Sequence, residues 1–393
     1  MKRLILIIAI IVVVVGLVIG GLVLRNRGGA TPEPDTGGAP SGQLPGTLPG
    51  FGGGGGGTPD GGLLPSEINI LSSEPIRSYF AFTKDHWVGV QEDGKIIEIQ
   101  NGQLDTLSST EIDNLIEASF SFDGKRALAI FGDNLKPQVS VFNIENRAWE
   151  PVAVSFETAD WSPGDYRVVY SIKKSGELAI MTLDIALSRA TPKELLRIGA
   201  HDLVLDWVSP SQILIMDKPT AQTASSIWSL DIGSKKLTEL MTEVAGRVLR
   251  WDAKGEVGLI LKSSGQRGGS LSILNKKGED VQNLNFLTLP SKCVFSEELT
   301  EDVDGKMVVT DTFLNCAVPR DSQALSNSVL PDDYLKKALT TSDSFFRISM
   351  DDGSVTTISA DQNKFFDAQS LSVTEGSLFF INRSDRKLYS ISL

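Results

Sequence analysis

Residues 159–184 read ADWSPGDYRVVYSIKKSGELAIMTLD. A tryptophan leads into a Ser-Pro-Gly-Asp turn. A run rich in Val, Tyr and Ile follows, then a Ser-Gly break, then a second apolar run ending in Leu-Asp. Turn residues at both breaks, with β-branched and aromatic residues between them, describe an antiparallel strand pair. The same cadence recurs downstream, as LVLDWVSPS, QILIMD, SSIWSLDIG, KKLTEL within 202–240 and as RVLRWDAKG, EVGLILKSSG, GSLSILNKKG, VQNLNFL within 246–287. Trp161, Trp207 and Trp251 take equivalent places, and Phe122 and Phe295 fall near the same register.

Working outward, the pattern fills the chain from Ser66 to Leu393. Units lie at 75–108, 115–154, 156–198, 202–240, 246–287, 292–360 and from 366 to the end, at a spacing of about 40 to 46 residues. Four short strands per unit at that period predict an all-β, seven-bladed β-propeller, with six blades as the alternative. The last unit lacks a fourth strand. The segment EINILSS (Glu67–Ser73) precedes the first unit and alternates as a strand should. It is expected to supply the missing outer strand and close the ring, which removes an exposed sheet edge.

The motif Trp161-Ser162-Pro163-Gly164-Asp165, followed by a hydrophobic strand and then a strand ending in Leu-Asp or Leu-Asp-Ile-Gly, resembles the TolB-like and WD-repeat-like β-propellers of bacteria. The resemblance covers residues 66–393 and implies the fold. It implies no particular function, because function resides in sites grafted onto folds.

Two further segments precede this domain. Residues 4–24, LILIIAIIVVVVGLVIGGLVL, are 21 residues without a charge. A helix of that length spans roughly 31 Å, enough for a hydrocarbon core of about 30 Å. The apolar run exceeds a signal-peptide core and no cleavage pattern follows it, so residues 1–27 are expected to be an uncleaved transmembrane signal anchor. Lys2 and Arg3 before the helix against Arg25 and Arg27 after it, with the very short N-terminal tail, place the N-terminus in the cytoplasm and the propeller outside it. Residues 28–65 hold 15 glycines and 7 prolines in 38 positions. Such a segment cannot offset its ordering entropy and is expected to be a disordered spacer with a reach of roughly 35 Å.

Charge narrows the partners. Beyond residue 65 there are 33 basic and 46 acidic residues. A nucleic-acid binder needs a basic field, so no nucleic acid is expected. Two histidines (His86, His201) and two cysteines are too few for a zinc site. The sequence assigns no catalytic, cofactor-binding or metal-binding residue. It has no Gly-x-Ser-x-Gly, no aspartate box and no phosphate-cradling loop. The pair Asp302 and Asp304 in DVDG has calcium-loop spacing without the remaining ligands, which reads as an ordinary turn.

Two sets of residues stand out. Cys293 (KCVFS) and Cys316 (LNCAVP) fall on the first two strands of the sixth unit, so adjacent antiparallel strands can bring them into disulfide range; two free thiols are the alternative. The sixth unit also carries an insertion from about Pro319 to Ser342. Within it, PDDYLKKAL (331–339) has acidic residues early and lysines later, a helix signature. Pro331, Asp332, Asp333, Tyr334, Lys336 and Lys337 are the candidate partner surface, with a lid or plug as the alternative. The three tryptophans are expected to pack between blades, with the lining of a ligand channel as the alternative.

The functional expectation is a monomeric, membrane-anchored, extracytoplasmic scaffold that binds an envelope protein or glycan and carries no cofactor. Two alternatives stand beside it. One is a glycan- or peptide-processing enzyme with paired carboxylates in the central channel. The other is a structural surface module.

Overall fold

The structure is a computed structural model, and it describes residues 66–393 except 187–190, 201, 303–304 and 361–363. The expected membrane helix and linker, like His201, lie outside the described residues. Among the described residues no helix is long and apolar enough to cross a membrane.

Seven antiparallel sheets of four strands each follow one another along the chain. Six blades are built from consecutive strands, from Ile76–Ser108 in blade 1 to Cys293–Ser359 in blade 6. This settles the blade number at seven against six. Blade 7 takes Ala368–Thr374, Ser377–Asn382 and Leu388–Ser392 from the C-terminus, and its outer strand is Ile68–Ile70. Ile68 sits opposite Ile391 in that pairing, and Ile70 opposite Tyr389. The ring is thus held shut by strand hydrogen bonds between residues at opposite ends of the domain.

The second strand of each blade is strongly apolar because both its faces meet neighbouring blades. Val168–Ser171 in blade 3 and Ser377–Asn382 in blade 7 are fully buried. A near-continuous apolar run is what a strand covered on both sides requires. Every blade junction has its own apolar core. Leu128 and Val141 of blade 2 meet Val168 and Met181 of blade 3, for example, and Leu259 and Ile273 of blade 5 meet Leu314 and Phe346 of blade 6. The junction of blades 7 and 1 joins Phe379 and Leu388 to Trp87 and Ile97.

The tryptophans occupy these junctions. Trp161 lies in the core between blades 2 and 3, and Trp207 in that between blades 3 and 4. Trp251 packs against the core between blades 4 and 5, and Phe295 against the next one. Blade 2 departs from the expected register. Phe120 pairs with Ala127 as Trp161 pairs with Val168 and Trp251 with Gly258, so Phe120 holds the aromatic position. Phe122 lies two residues on, in the hairpin turn, 42% exposed. That turn needs Gly124. Its φ is 70°, and a Cβ there would meet the Phe80 ring of blade 1 at 2.4 Å.

Candidate functional site

The first strand of each blade runs nearest the ring axis. Glu117 of blade 2, Asp160 of blade 3, Asp206 of blade 4 and Arg250 of blade 5 come from successive first strands, with Arg77 and Tyr79 from blade 1. Asp160, Asp206 and Arg250 stand one residue before the aligned tryptophans. This repeated Asp-Trp, Asp-Trp, Arg-Trp dipeptide is the signal from which the charged channel could have been read.

Asp160 is fixed by the fold. One of its oxygens accepts from the Trp161 amide at 2.9 Å and the other from the Trp207 amide of the next blade at 2.7 Å. Burial pushes its carboxyl up to about 7; the Asp206 charge adds to this and the two amides oppose it. Burial also pushes Asp206 up to about 6 against the pull of Arg250. Burial of its carboxyl raises Glu117 as well, with Arg77 opposing, although the residue as a whole is exposed. Two adjacent carboxylates in a confined space cannot both ionise at their ordinary values.

Arg250 crosses the ring. Its Nη2 donates to the Leu371 carbonyl of blade 7 at 3.0 Å. That carbonyl is presented by an irregular stretch of blade 7, where the register shifts between Gln369 and Ser372 and Ser370 has a φ of 53°. The Tyr79 hydroxyl donates to the Ser370 carbonyl at 2.6 Å and lies 3.0 Å from Ser372 Oγ, so blades 1, 5 and 7 meet at one level of the channel. Burial holds the Tyr79 phenol well above its usual range.

Beside Asp206 and Arg250 opens a cavity of about 600 Å³, on the face that carries the first hairpin of each blade. It is lined by Phe122, Pro163, Trp207, Val248, Leu249 and Trp251, together with Asp252 and Ser291. The indole N–H groups of Trp207 and Trp251 are buried without an acceptor. An apolar, aromatic cleft with a few convergent polar groups is the usual form of a binding pocket.

The insertion of blade 6 lies on the opposite face. It contains two short helices, Ser322–Ser326 and Asp332–Leu335. Pro331, Asp332 and Tyr334 of the candidate partner surface are buried, Asp333 is half-buried, and Lys336 and Lys337 are exposed. Asp332 accepts from Thr220 Oγ1 at 2.9 Å and from the Ala221 amide at 2.6 Å, both in blade 4. The Gly268 amide of blade 5 donates to the Ser328 carbonyl at 2.8 Å. Arg383 of blade 7 donates to the Tyr334 carbonyl at 3.0 Å and lies 3.8 Å over its ring. The insertion is therefore a clasp that ties blade 6 to blades 4, 5 and 7.

Beneath the clasp sits a fully buried lysine. Lys292 Nζ donates to Asp367 at 2.6 Å, Asp343 at 2.7 Å, Thr341 Oγ1 at 2.9 Å and the Ala368 carbonyl at 3.1 Å. Burial alone would depress the ammonium, but Asp343 and Asp367 outweigh it and hold the lysine above its ordinary value. The next residue, Cys293, is directly opposite Cys316 with a Cα–Cα distance of 4.1 Å, and the two form a disulfide. The DVDG segment is closed by a turn in which the Gly305 amide donates to the Asp302 carbonyl; Val303 and Asp304 lie outside the described residues. Among the described residues no three of His, Cys, Asp and Glu are placed to hold a metal ion.

No protein-family model matches the chain, and no curated protein matches it. Solved structures do. They include TolB from Acinetobacter baumannii, at 11% identity over 80% of this chain and 63% of that one, with a TM-score of 0.42. The chain thus spans less than two thirds of that TolB. An oligogalacturonate lyase in complex with manganese gives 12% identity over 84% and 97% of the two chains, with a TM-score of 0.51. The Swd1 beta-propeller domain of Myceliophthora thermophila gives 10% identity over 84% and 100%, with a TM-score of 0.47. At these identities the likeness is one of fold alone.

Proposed function

We propose that the chain is a membrane-anchored, extracytoplasmic binding propeller whose ligand or partner seats in the cavity beside Asp206 and Arg250. The cavity carries this reading, since its aromatic walls are rigid parts of blade junctions and its charged floor is tethered across the ring. A preformed pocket of this kind binds with little ordering cost. The address is supported by the uncharged run at residues 4–24 and by a disulfide, which persists in oxidising compartments. An envelope protein or glycan is the partner class that fits this address.

Two measurements test the reading. A reporter fused after Leu393 is expected to be active only outside the cytoplasm, and cytoplasmic activity overturns the address. Partners recovered from solubilised envelopes with the parent protein are expected to be lost with Trp251→Ala, which trims a cavity wall. Recovery unchanged by Trp251→Ala and by Asp206→Asn overturns the site.

One observation favours a second reading, an envelope enzyme acting on a glycan or peptide. Asp160 and Asp206 hold values of about 7 and about 6, in the range that suits proton transfer near neutrality. Turnover of a glycan or peptide substrate that is abolished by Asp206→Asn would establish it.

A further inference from the structure

The first hairpin of blade 6 outgrows its siblings. Second strands elsewhere run six to eight residues, whereas Met307–Pro319 runs 13 and its partner Cys293–Glu301 runs nine. Pairing with the third strand of the blade begins only at Phe313. The outer part, Glu297–Glu301 against Met307–Asp311, is thus a two-stranded ribbon projecting from the face that carries the cavity. Along that stretch the ribbon's outer edge has no strand partner among the described residues.

Its faces differ. Leu299 lies opposite Val309, and Glu301 opposite Met307. With a side-chain period of two, Leu299, Val309 and Met307 share one face with Glu301, and a bulge at Thr310 separates them from the Glu298–Asp311 pair. They are 50%, 46% and 55% exposed. Glu297, Glu298, Glu301, Asp302 and Asp311 surround them, against Lys306 within the ribbon. The ribbon's base is braced: Lys254 pairs with Glu297, Arg347 pairs with Glu298 at 3.2 Å, and the Arg347 guanidinium lies 3.5 Å over the Phe313 ring. Acidic residues alone are a common protection of a strand edge. They do not account for three exposed apolar side chains grouped with Glu301 on one face of a braced projection, since such exposure marks an interaction site.

We infer that this ribbon is a docking arm for a partner protein that presents an extended segment of alternating basic and apolar side chains. The partner's backbone adds to the edge at Met307–Asp311, its apolar side chains cover Leu299, Met307 and Val309, and its cations meet the carboxylates. Charge selects this occupant. A second copy would bring a second acidic ribbon, and an anionic lipid surface would be repelled.

The test uses hydrogen exchange on the full chain with a ten-residue peptide alternating lysine and valine, and a glutamate–valine peptide of the same length as control. The lysine peptide is expected to slow exchange at Met307–Asp311 by at least tenfold, and the glutamate peptide to leave it unchanged. Leu299→Lys with Val309→Lys, and separately Met307→Lys, are expected to weaken the lysine peptide at least tenfold while thermal unfolding stays at the parent temperature. The inference is overturned by protection that falls elsewhere, by binding that survives both variants, or by protection without peptide that grows with protein concentration, which would mean self-association. Asp206→Asn leaves the expected result unchanged, so the arm and the cavity are tested separately.

Discussion

Replacing Lys292 with methionine isolates the buried charge beneath the clasp. The side chain keeps its length and loses its charge. Four hydrogen bonds disappear, two of them to carboxylates. Asp367 keeps Arg383 Nη1 at 2.9 Å and the Thr341 hydroxyl at 3.0 Å, so it remains compensated. Asp343 does not. Its Oδ2 keeps only a neutral donor such as the Ala368 amide at 2.8 Å, and its Oδ1 has no partner even in the parent. An uncompensated buried charge costs about 3–5 kcal/mol, a large share of a domain's net stability. Burial already raises Asp343, with Lys292 opposing, and removing the lysine raises it further. The variant's folded state then holds a proton that the unfolded state has released. Its deficit is therefore largest above neutrality and shrinks as pH falls toward the ordinary carboxylate range. Urea unfolding of Lys292→Met at pH 8 and pH 5 reads this directly, and Lys292→Met with Asp343→Asn is expected to recover more than half of the loss at pH 8. A loss below about 1 kcal/mol at pH 8, or the same loss at both pH values, refutes the reasoning.

The Asp206 carboxyl at about 6 and Asp160 at about 7 both lie above the unfolded-state value, so the parent's stability is expected to fall as pH rises from about 4 through about 7. Asp206→Asn should flatten that slope and gain about 1 kcal/mol at pH 8 with no gain at pH 4, as thermal melts across pH would show. Replacing Cys293 and Cys316 with alanine opens a loop of 23 residues and should cost about 3 kcal/mol, read as a lower urea midpoint that reductant no longer changes. Ile68→Ala trims the closing strand where it packs with Phe345 and Ile391 and should cost about 2–4 kcal/mol by the same assay; an unchanged midpoint would mean the ring does not need its N-terminal strand.

Seven blades were legible because a propeller repeats its turn residues and apolar runs at a fixed period. The closing strand was legible for a related reason: blade 7 visibly lacks one strand, and Glu67–Ser73 is the unused strand-like segment. The cysteine pair followed from the order of strands within one blade. What stayed hidden depends on chain separation. Asp332 looked like a dipole-complementing residue on an exposed helix, but its partners Thr220 and Ala221 are 112 and 111 residues away. Lys292 meets carboxylates 51 and 75 residues downstream. Phe120 and Phe122 both fit the local pattern near the tryptophan register, and only the pairing of Phe120 with Ala127 decides between them. The channel charges carried a readable sign, the residue before each tryptophan, but composition and motif reading do not ask which residues face a ring axis.

Asp160 and Asp206 meet the electrostatic description of an acid–base pair more fully than the positional one. A glycosidase-type pair needs both carboxyls turned toward a substrate lying between them. Asp160 spends both oxygens on backbone amides, and in doing so links blade 3 to blade 4. Arg250 is likewise engaged with the Leu371 carbonyl across the ring. Asp206 is the member of the set that also lines the cavity beside Arg250. One carboxyl lining a pocket, raised to about 6 by burial against the pull of Arg250, suits recognition of a cationic or hydrogen-bond-donating group. Binding such a group favours the charged carboxylate, so affinity should rise with pH through about 6 and Asp206→Asn should remove that dependence. A pH-independent affinity would place the ligand elsewhere on the propeller and return Asp206 to a purely structural role.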